Sequence, residues 1–320
     1  MSKVRQIDWI EALMISAAFV TGIMAFNFGG TLYTWNNGQI ISLFVVSGAC
    51  FITLFLQQYF KFMTTHALRV LPIHLFRVRD MALCFVCQVA VALIVPVPLY
   101  YLPIFFQLAR GDSALRAGIK TLPLISTWVT SSAFRGRMMG KLGWYQPCYI
   151  VGSILNILAG VFLSRINIDT SNAVIYGFQI LSGIGTGCYG QTGFAVAQQL
   201  VPPADIHRSI SLMLIAQLSR TTLGLALAGA IFQNVSLSHI RAILPNLSTA
   251  QLSRIITDVG SIDEVEINES DRIRVLHSLA TASADTYTLI YAAAGLFLIC
   301  SLFFTNPPTS KTLVKMGSIW

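Results

Sequence analysis

The chain has 320 residues, of which 55% are hydrophobic and only 11% charged. A soluble domain carries about 25% charged residues, so this composition, with a mean hydropathy of +0.68, excludes an ordinary soluble protein and marks an all-α integral membrane protein whose first partner is the lipid bilayer. The net charge of +8 raises nucleic acid as a partner, but the basic residues form no single patch or stripe, which excludes it.

A spanning helix needs about 20 mostly apolar residues. Eight segments qualify, at roughly 10–28, 40–60, 81–106, 116–135, 147–165, 173–198, 208–232 and 286–305. The first two form one uncharged run from Ala12 to Phe60, divided by the turn residues of FGGTLYTWNNGQ (Phe28 to Gln39). The third carries Pro96, Pro98 and Pro103, which predict a kinked or broken helix. The fourth ends in the basic, glycine-containing stretch GRMMGKLGWYQP. The sixth contains GTGCYG (Gly185 to Gly190). A long polar loop, 233–285, separates the last two spans; a short surface helix is expected in it near STAQLSRII.

Charge orients these spans. Lys3 and Arg5, then Lys61, Arg69, Arg77 and Arg79, then Arg135, Arg137 and Lys141, then Arg208, then Lys311 and Lys315 all fall on one side. The short connections on the other side hold Arg110, Arg116 and Arg165. By the positive-inside rule both termini are cytoplasmic. The sequons Asn234-Val-Ser, Asn246-Leu-Ser and Asn268-Glu-Ser all lie in the 233–285 loop, on the side where glycosylation occurs. Met1 leads through a short polar stretch into a full-length span, so no cleavable signal is expected.

Two motifs suggest cofactors and fail on context. GTGCYG fits the dinucleotide pattern, with Asp205 twenty residues beyond Gly185, but that fingerprint needs a preceding strand. In an apolar span, Gly183 and Gly187 read better as a GxxxG packing face. CFVC (Cys84 to Cys87) lacks further ligands for zinc and a redox context. The six cysteines, Cys50, Cys84, Cys87, Cys148, Cys188 and Cys300, avoid the polar loop, so no disulfide framework is suggested. No catalytic constellation, metal site or cofactor is expected, and the chain does not read as an enzyme.

Several stretches, in order and with matching spacing from about Ile7 to Phe304, resemble one family. DWIEALMISAAFVTGIMAFNFGGTLYTW, PIHLFRVRDM, YYLPIFFQLARGDSALRAGIKTLPL, GRMMGKLGWYQP and GFQILSGIGTGCYGQTGFAVAQQLVPPAD are similar to parts of the 14-spanner drug:proton antiporters of the major facilitator superfamily, fungal efflux-pump type. The resemblance is to the last eight spans. It implies two extra central helices and a cytoplasmic loop (1–80), a six-helix half bundle (81–305) that includes an extracellular loop, and a cytoplasmic tail (306–320). It also implies proton-coupled efflux of a small amphipathic or aromatic organic compound across the plasma membrane or the vacuolar membrane. In this reading the chain is a truncated half, which would use protons only when completed by an N-terminal half or by association with another transporter half. The alternative is a non-transporting binding or structural half-protein, or a degenerate gene product.

Polar residues within the spans are the candidate substrate pathway: Gln88, Tyr100, Gln179, Tyr189, Gln191, Gln217 and Arg220. Interhelical hydrogen bonding is the plainer reading of each polar group. Arg220 stands about 18 Å along a helix from Arg208, too deep for easy snorkelling, in a stripe with Ala216, Gln217, Thr221, Gly224 and Ala228. The family usually has glycines at 220 and 221. The arginine therefore reads as an anion site, as a contact to a partner half, or as damage. Arg137, Gly140, Lys141 and Gly143 are the candidate cytoplasmic gate, against a plain positive-inside anchor. Glu11, Asp80 and Asp285 sit at span ends, and the five histidines at loops or helix boundaries. No coupling acid stands at the midplane.

Overall fold

The computed structural model describes residues 9–29, 33–60, 73–142, 146–257 and 268–304. Among them it is all-α, with no strand beyond an isolated bridge between Gly29 and Tyr33. The helices are α1 (Trp9–Phe28), α2 (Gly38–Phe60), α3 (Arg79–Ile94), α4 (Pro96–Arg110), α5 (Ala114–Leu142), α6 (Gln146–Leu163), α7 (Asn172–Tyr189), α8 (Thr192–Gln199), α9 (Ile206–Ile243), α10 (Thr249–Thr257), α11 (Glu269–Asp285) and α12 (Thr288–Leu302).

α1 and α2 form a hairpin. Ser47 Oγ donates to the Ala18 carbonyl (2.8 Å) opposite Gly22, and Phe19–Phe51 and Phe26–Phe44 meet edge to face at 5.4 and 5.2 Å. Val45, Ile52 and Phe55 on the hairpin's outer face are exposed, as a lipid-facing surface requires. The hairpin packs on the main bundle through α9. In that bundle α5 packs on α7 and α4, α6 on α7 and α12, and α3 on α9 and α12.

The prolines break the third span as expected. α3 ends at Ile94, Val95 is the joint, and α4 starts with Pro96 at its first position, where a missing N–H is tolerated. The sixth expected span is also divided, at Gly190 and Gln191, into α7 and α8.

Other boundaries are corrected. Among the described residues six helical stretches are long and apolar enough to cross a membrane: Glu11–Phe28, Gly38–Gln57, Arg79–Arg110, Gln146–Leu163, Leu223–Ile243 and Glu269–Leu302. The fourth and sixth expected spans, α5 and α7, are helical and packed inside the bundle but are not among the six. α5 carries Lys120, Arg135, Arg137 and a run of hydroxyls from Ser126 to Ser132. α7 carries Asn172, Gln179, Ser182 and Thr186. The 233–285 region is mostly helix rather than loop. α9 overruns its expected end and is 38 residues long, about 57 Å at 1.5 Å per residue. α11 follows and packs on α9 and α4. His239 and His277 therefore lie within helices rather than at boundaries. The expected surface helix is α10. It starts with a capping box, in which Ser248 N donates to Gln251 Oε1 (2.9 Å) and Gln251 N donates to Ser248 Oγ (3.4 Å).

Candidate functional site

Among the described residues, two large cavities lie toward opposite ends of the bundle, and a closely packed helix seam lies between them. The first cavity, about 260 Å³, is bounded by α4, α9 and the inner face of α10. Tyr100, Tyr101 and Phe232 wall it. Tyr101 meets Tyr100 edge to face at 5.1 Å and Phe232 at 5.5 Å. Ile104, Gln107, Leu108, Gln233 and Ile256 are the other described lining residues. Gln233 Oε1 is buried with no hydrogen-bond partner among the described residues.

Local sequence explains this end. α4 stops at Gly111, the described glycine with positive φ (+61°), whose N–H bonds the Gln107 carbonyl (3.0 Å); only glycine takes this left-handed cap without strain. The cap turns Asp112 back to pair with Lys120, whose ammonium also sits 5.3 Å above the Phe106 ring. Lys120 is thus held by a carboxylate and a ring.

The second cavity, about 290 Å³, lies between α5, α7 and α8. Ser132, Arg135, Gln191, Thr192 and Gln199 are among its lining residues. Arg135 is only 4% exposed, although it was expected among the loop charges, because α5 continues seven residues past it to Leu142. Arg137 is exposed on the same helix. Gly140 and Lys141 are on α5 as well, with side-chain surroundings outside the described residues, and Gly143 lies outside them entirely. The expected gate turn is thus largely helical.

Between the cavities runs the seam of α5, α6 and α7. A Cβ on Gly152 would lie 2.6 Å from the Gly185 carbonyl, and one on Gly185 would lie 2.8 Å from the Gly152 carbonyl. On the opposite face of α7, a Cβ on Gly183 would meet the Leu124 carbonyl at 2.7 Å, and one on Gly187 the Ser132 N at 2.9 Å. The glycines of GIGTG therefore bring α7 against two neighbours at once, on a helix where the dinucleotide pattern has no strand to follow. Asn156 of α6 occupies the seam. Its Nδ2 donates to Tyr189 Oη (3.0 Å), and its Oδ1 accepts from Ser182 Oγ (3.1 Å) and Thr186 Oγ1 (3.4 Å).

This geometry sorts the pathway candidates. Tyr100 and Gln191 line cavities, one at each end. Tyr189 does not: it is fully buried, hydrogen-bonded to Asn156 and stacked on Phe297 at 4.2 Å. Gln179 is buried as well, its Nε2 donating to the Lys120 carbonyl (3.1 Å) and joining α7 to α5. Gln88 is buried beneath Gly193, where a Cβ would lie 3.1 Å from its Oε1. Gln217 is half-buried on α9. Arg220 is on α9, but its side chain lies outside the described residues.

Of the sequons, Asn246 and Asn268 are exposed. Asn234 is corrected from loop to helix: on α9 its Nδ2 donates to the Ala230 carbonyl (2.6 Å) and its Oδ1 accepts from Trp35 Nε1 (3.4 Å). Reading the sequence alone missed Asn156, Tyr101, Gln107 and Gln233. A mid-span asparagine four residues after a glycine was the available signal for the first; the others differ from their neighbours only in three dimensions.

The architecture is that of an all-α, multi-pass integral membrane protein. It matches the crystal structure of a bacterial homolog to the human lysosomal transporter Spinster, in the inward-facing and occupied conformation, with a TM-score of 0.56 at 15% identity, over 85% of this chain and 60% of that one. In sequence the chain is 36% identical, over 95% of its length, to the phomenoic acid biosynthesis cluster MFS-type transporter of Leptosphaeria maculans. It is 34% identical over 99% of its length to the MFS-type transporter pgmG of Aspergillus terreus, and 32% identical over 94% to the efflux pump alnA of Emericella nidulans. The chain spans about half the length of the curated relatives it matches, 51 to 55% of these three. No family model matches it. These relatives are transporters and efflux pumps.

Proposed function

We propose that this chain corresponds to the last eight spans of a 14-span drug:proton antiporter and takes part in the export of a small amphipathic or aromatic compound, such as a drug, toxin or secondary metabolite. The observation that carries this reading is the 36% identity, sustained over 95% of the chain, to an MFS-type transporter of a biosynthesis cluster. α5 and α7 then count as spans shielded by neighbouring helices, which makes eight. Both termini are cytoplasmic, the 233–285 region is extracellular, with α9 and α11 extending outward beyond the bilayer, and Asn246 and Asn268 are its glycosylation acceptors. The membrane is the plasma membrane or the vacuolar membrane. Arg137, Gly140, Lys141 and Gly143 form the cytoplasmic gate.

Proton coupling requires a titratable group in the pathway. The acids among the described residues, such as Glu11, Asp80, Asp205 and Asp285, stand at helix ends or in connections. Protons are therefore coupled through another transporter half. The same observation favours a second reading, a membrane half-protein that binds without transporting.

Expression in an efflux-deficient yeast separates the two. The chain alone and the chain co-expressed with the first half of a relative are compared for export of a fluorescent aromatic compound, with and without a protonophore. Protonophore-sensitive export by the pair and none by the chain alone is the expected result. Export by neither supports the binding half-protein, and proton-driven export by the chain alone overturns the coupling argument.

A further inference from the structure

The cavity between α4, α9 and α10 is absorbed by nothing above, and its chemistry is specific. Among the described residues its lining contains no charged side chain. Tyr100, Tyr101 and Phe232 present ring faces and edges, the surfaces on which a flat aromatic molecule packs. Gln107 and Gln233 add amides to the lining, while Gln233 Oε1 is itself enclosed by protein and has no hydrogen-bond partner among the described residues. At about 260 Å³ the space holds a molecule of two or three aromatic rings and is near the lower end of small-ligand sites. A carboxylate or ammonium would enter with no counter-charge in the lining, at a desolvation cost of several kcal/mol.

α10 closes this space. Its capping box fixes where it starts. Leu252, Ile255 and Ile256, at helical spacing, are buried against the bundle, while Gln251 and Arg254 face outward. Ile256 is the α10 residue that reaches the cavity.

We infer that this cavity is a binding vestibule for an uncharged aromatic molecule, held between Tyr100, Tyr101 and Phe232, edged by the amides of Gln107 and Gln233, and covered by α10. Calling that molecule cargo rests on the transport reading. The binding itself does not.

The test uses the full chain in phosphatidylcholine nanodiscs with two probes of one skeleton. N-phenyl-1-naphthylamine is neutral and carries one N–H donor. 8-Anilino-1-naphthalenesulfonate adds a negative charge. The neutral probe binds saturably, and Tyr100→Ala, at a side chain exposed enough to leave folding intact, weakens it about tenfold, as does Gln233→Leu. The sulfonate neither binds saturably nor competes. The neutral probe also slows maleimide labelling of I256C, a readout independent of the other substitutions. Neutral-probe binding unchanged in both Tyr100→Ala and Gln233→Leu overturns the site. Equal competition by the sulfonate overturns the charge selectivity. Labelling of I256C that is indifferent to the probe overturns the cover. Saturable binding without export leaves the site standing and removes the transport reading, whereas export with no saturable binding removes the site alone.

Discussion

The seam of α5, α6 and α7 and the vestibule of α4, α9 and α10 are built from similar polar residues in apolar helices, and they end as opposites. In the seam, Gly152, Gly183, Gly185 and Gly187 let backbones approach until Asn156, Ser182, Thr186 and Tyr189 can saturate one another. In the vestibule, Tyr100, Tyr101 and Phe232 hold the helices apart, and Gln233 is left facing a space. A polar residue in a span is consumed by structure or left for a ligand according to the bulk of its neighbours. Its own identity does not decide the outcome.

Substitutions test that contrast, and the largest effect belongs to the seam. Gly152→Val drives a branched side chain into the Gly185 carbonyl and should destabilise the protein by about 3 kcal/mol or more, seen as lost monodisperse yield and a lowered Tm in detergent. Asn156→Leu orphans three buried hydroxyls and should cost about 1–3 kcal/mol; Tyr189→Phe, which removes one interhelical hydrogen bond, should cost about 0.6 kcal/mol. At the vestibule end, Lys120→Met strands the Asp112 carboxylate, for an expected loss of about 1–2 kcal/mol. The double variant with Asp112→Asn should lose less than Lys120→Met alone, because it leaves no charge unpaired. Tyr100→Ala should be smallest in stability, within about 0.5 kcal/mol, since the side chain is 54% exposed. A Tyr100→Ala loss as large as that of Asn156→Leu would erase the distinction between the regions.

The sequence made the membrane class legible because hydropathy reports solvent preference directly. It also made legible the proline break at Val95, the capped helix at Ser248 and the packing role of the GxxxG glycines, since each depends on residues close together in the chain. The ends of α9 and the burial of Arg135 were not legible, because helix continuation past a span is set by packing against α10 and α11 or by the second cavity's walls. Tyr189 and Gln179 looked like pathway residues because a polar side chain in an apolar run looks the same whether its partner is Asn156, a backbone carbonyl or a ligand. Gln233 looked like the first residue of a loop.

The joint at Val95 has a mechanical meaning. Pro96 and Pro98 have no N–H to offer the carbonyls of residues 92 and 94, so two rungs of the helical ladder are missing where α3 gives way to α4. α3 is anchored against α9 and α12, while α4 carries both vestibule tyrosines. Flexing at that point breaks no hydrogen bond to those two carbonyls, so the long α3–α4 rod is weakened there, as it is again by Pro103 inside α4. A small rotation there becomes a change in aperture between Tyr100 and Phe232, with α3 as the fixed arm of the lever.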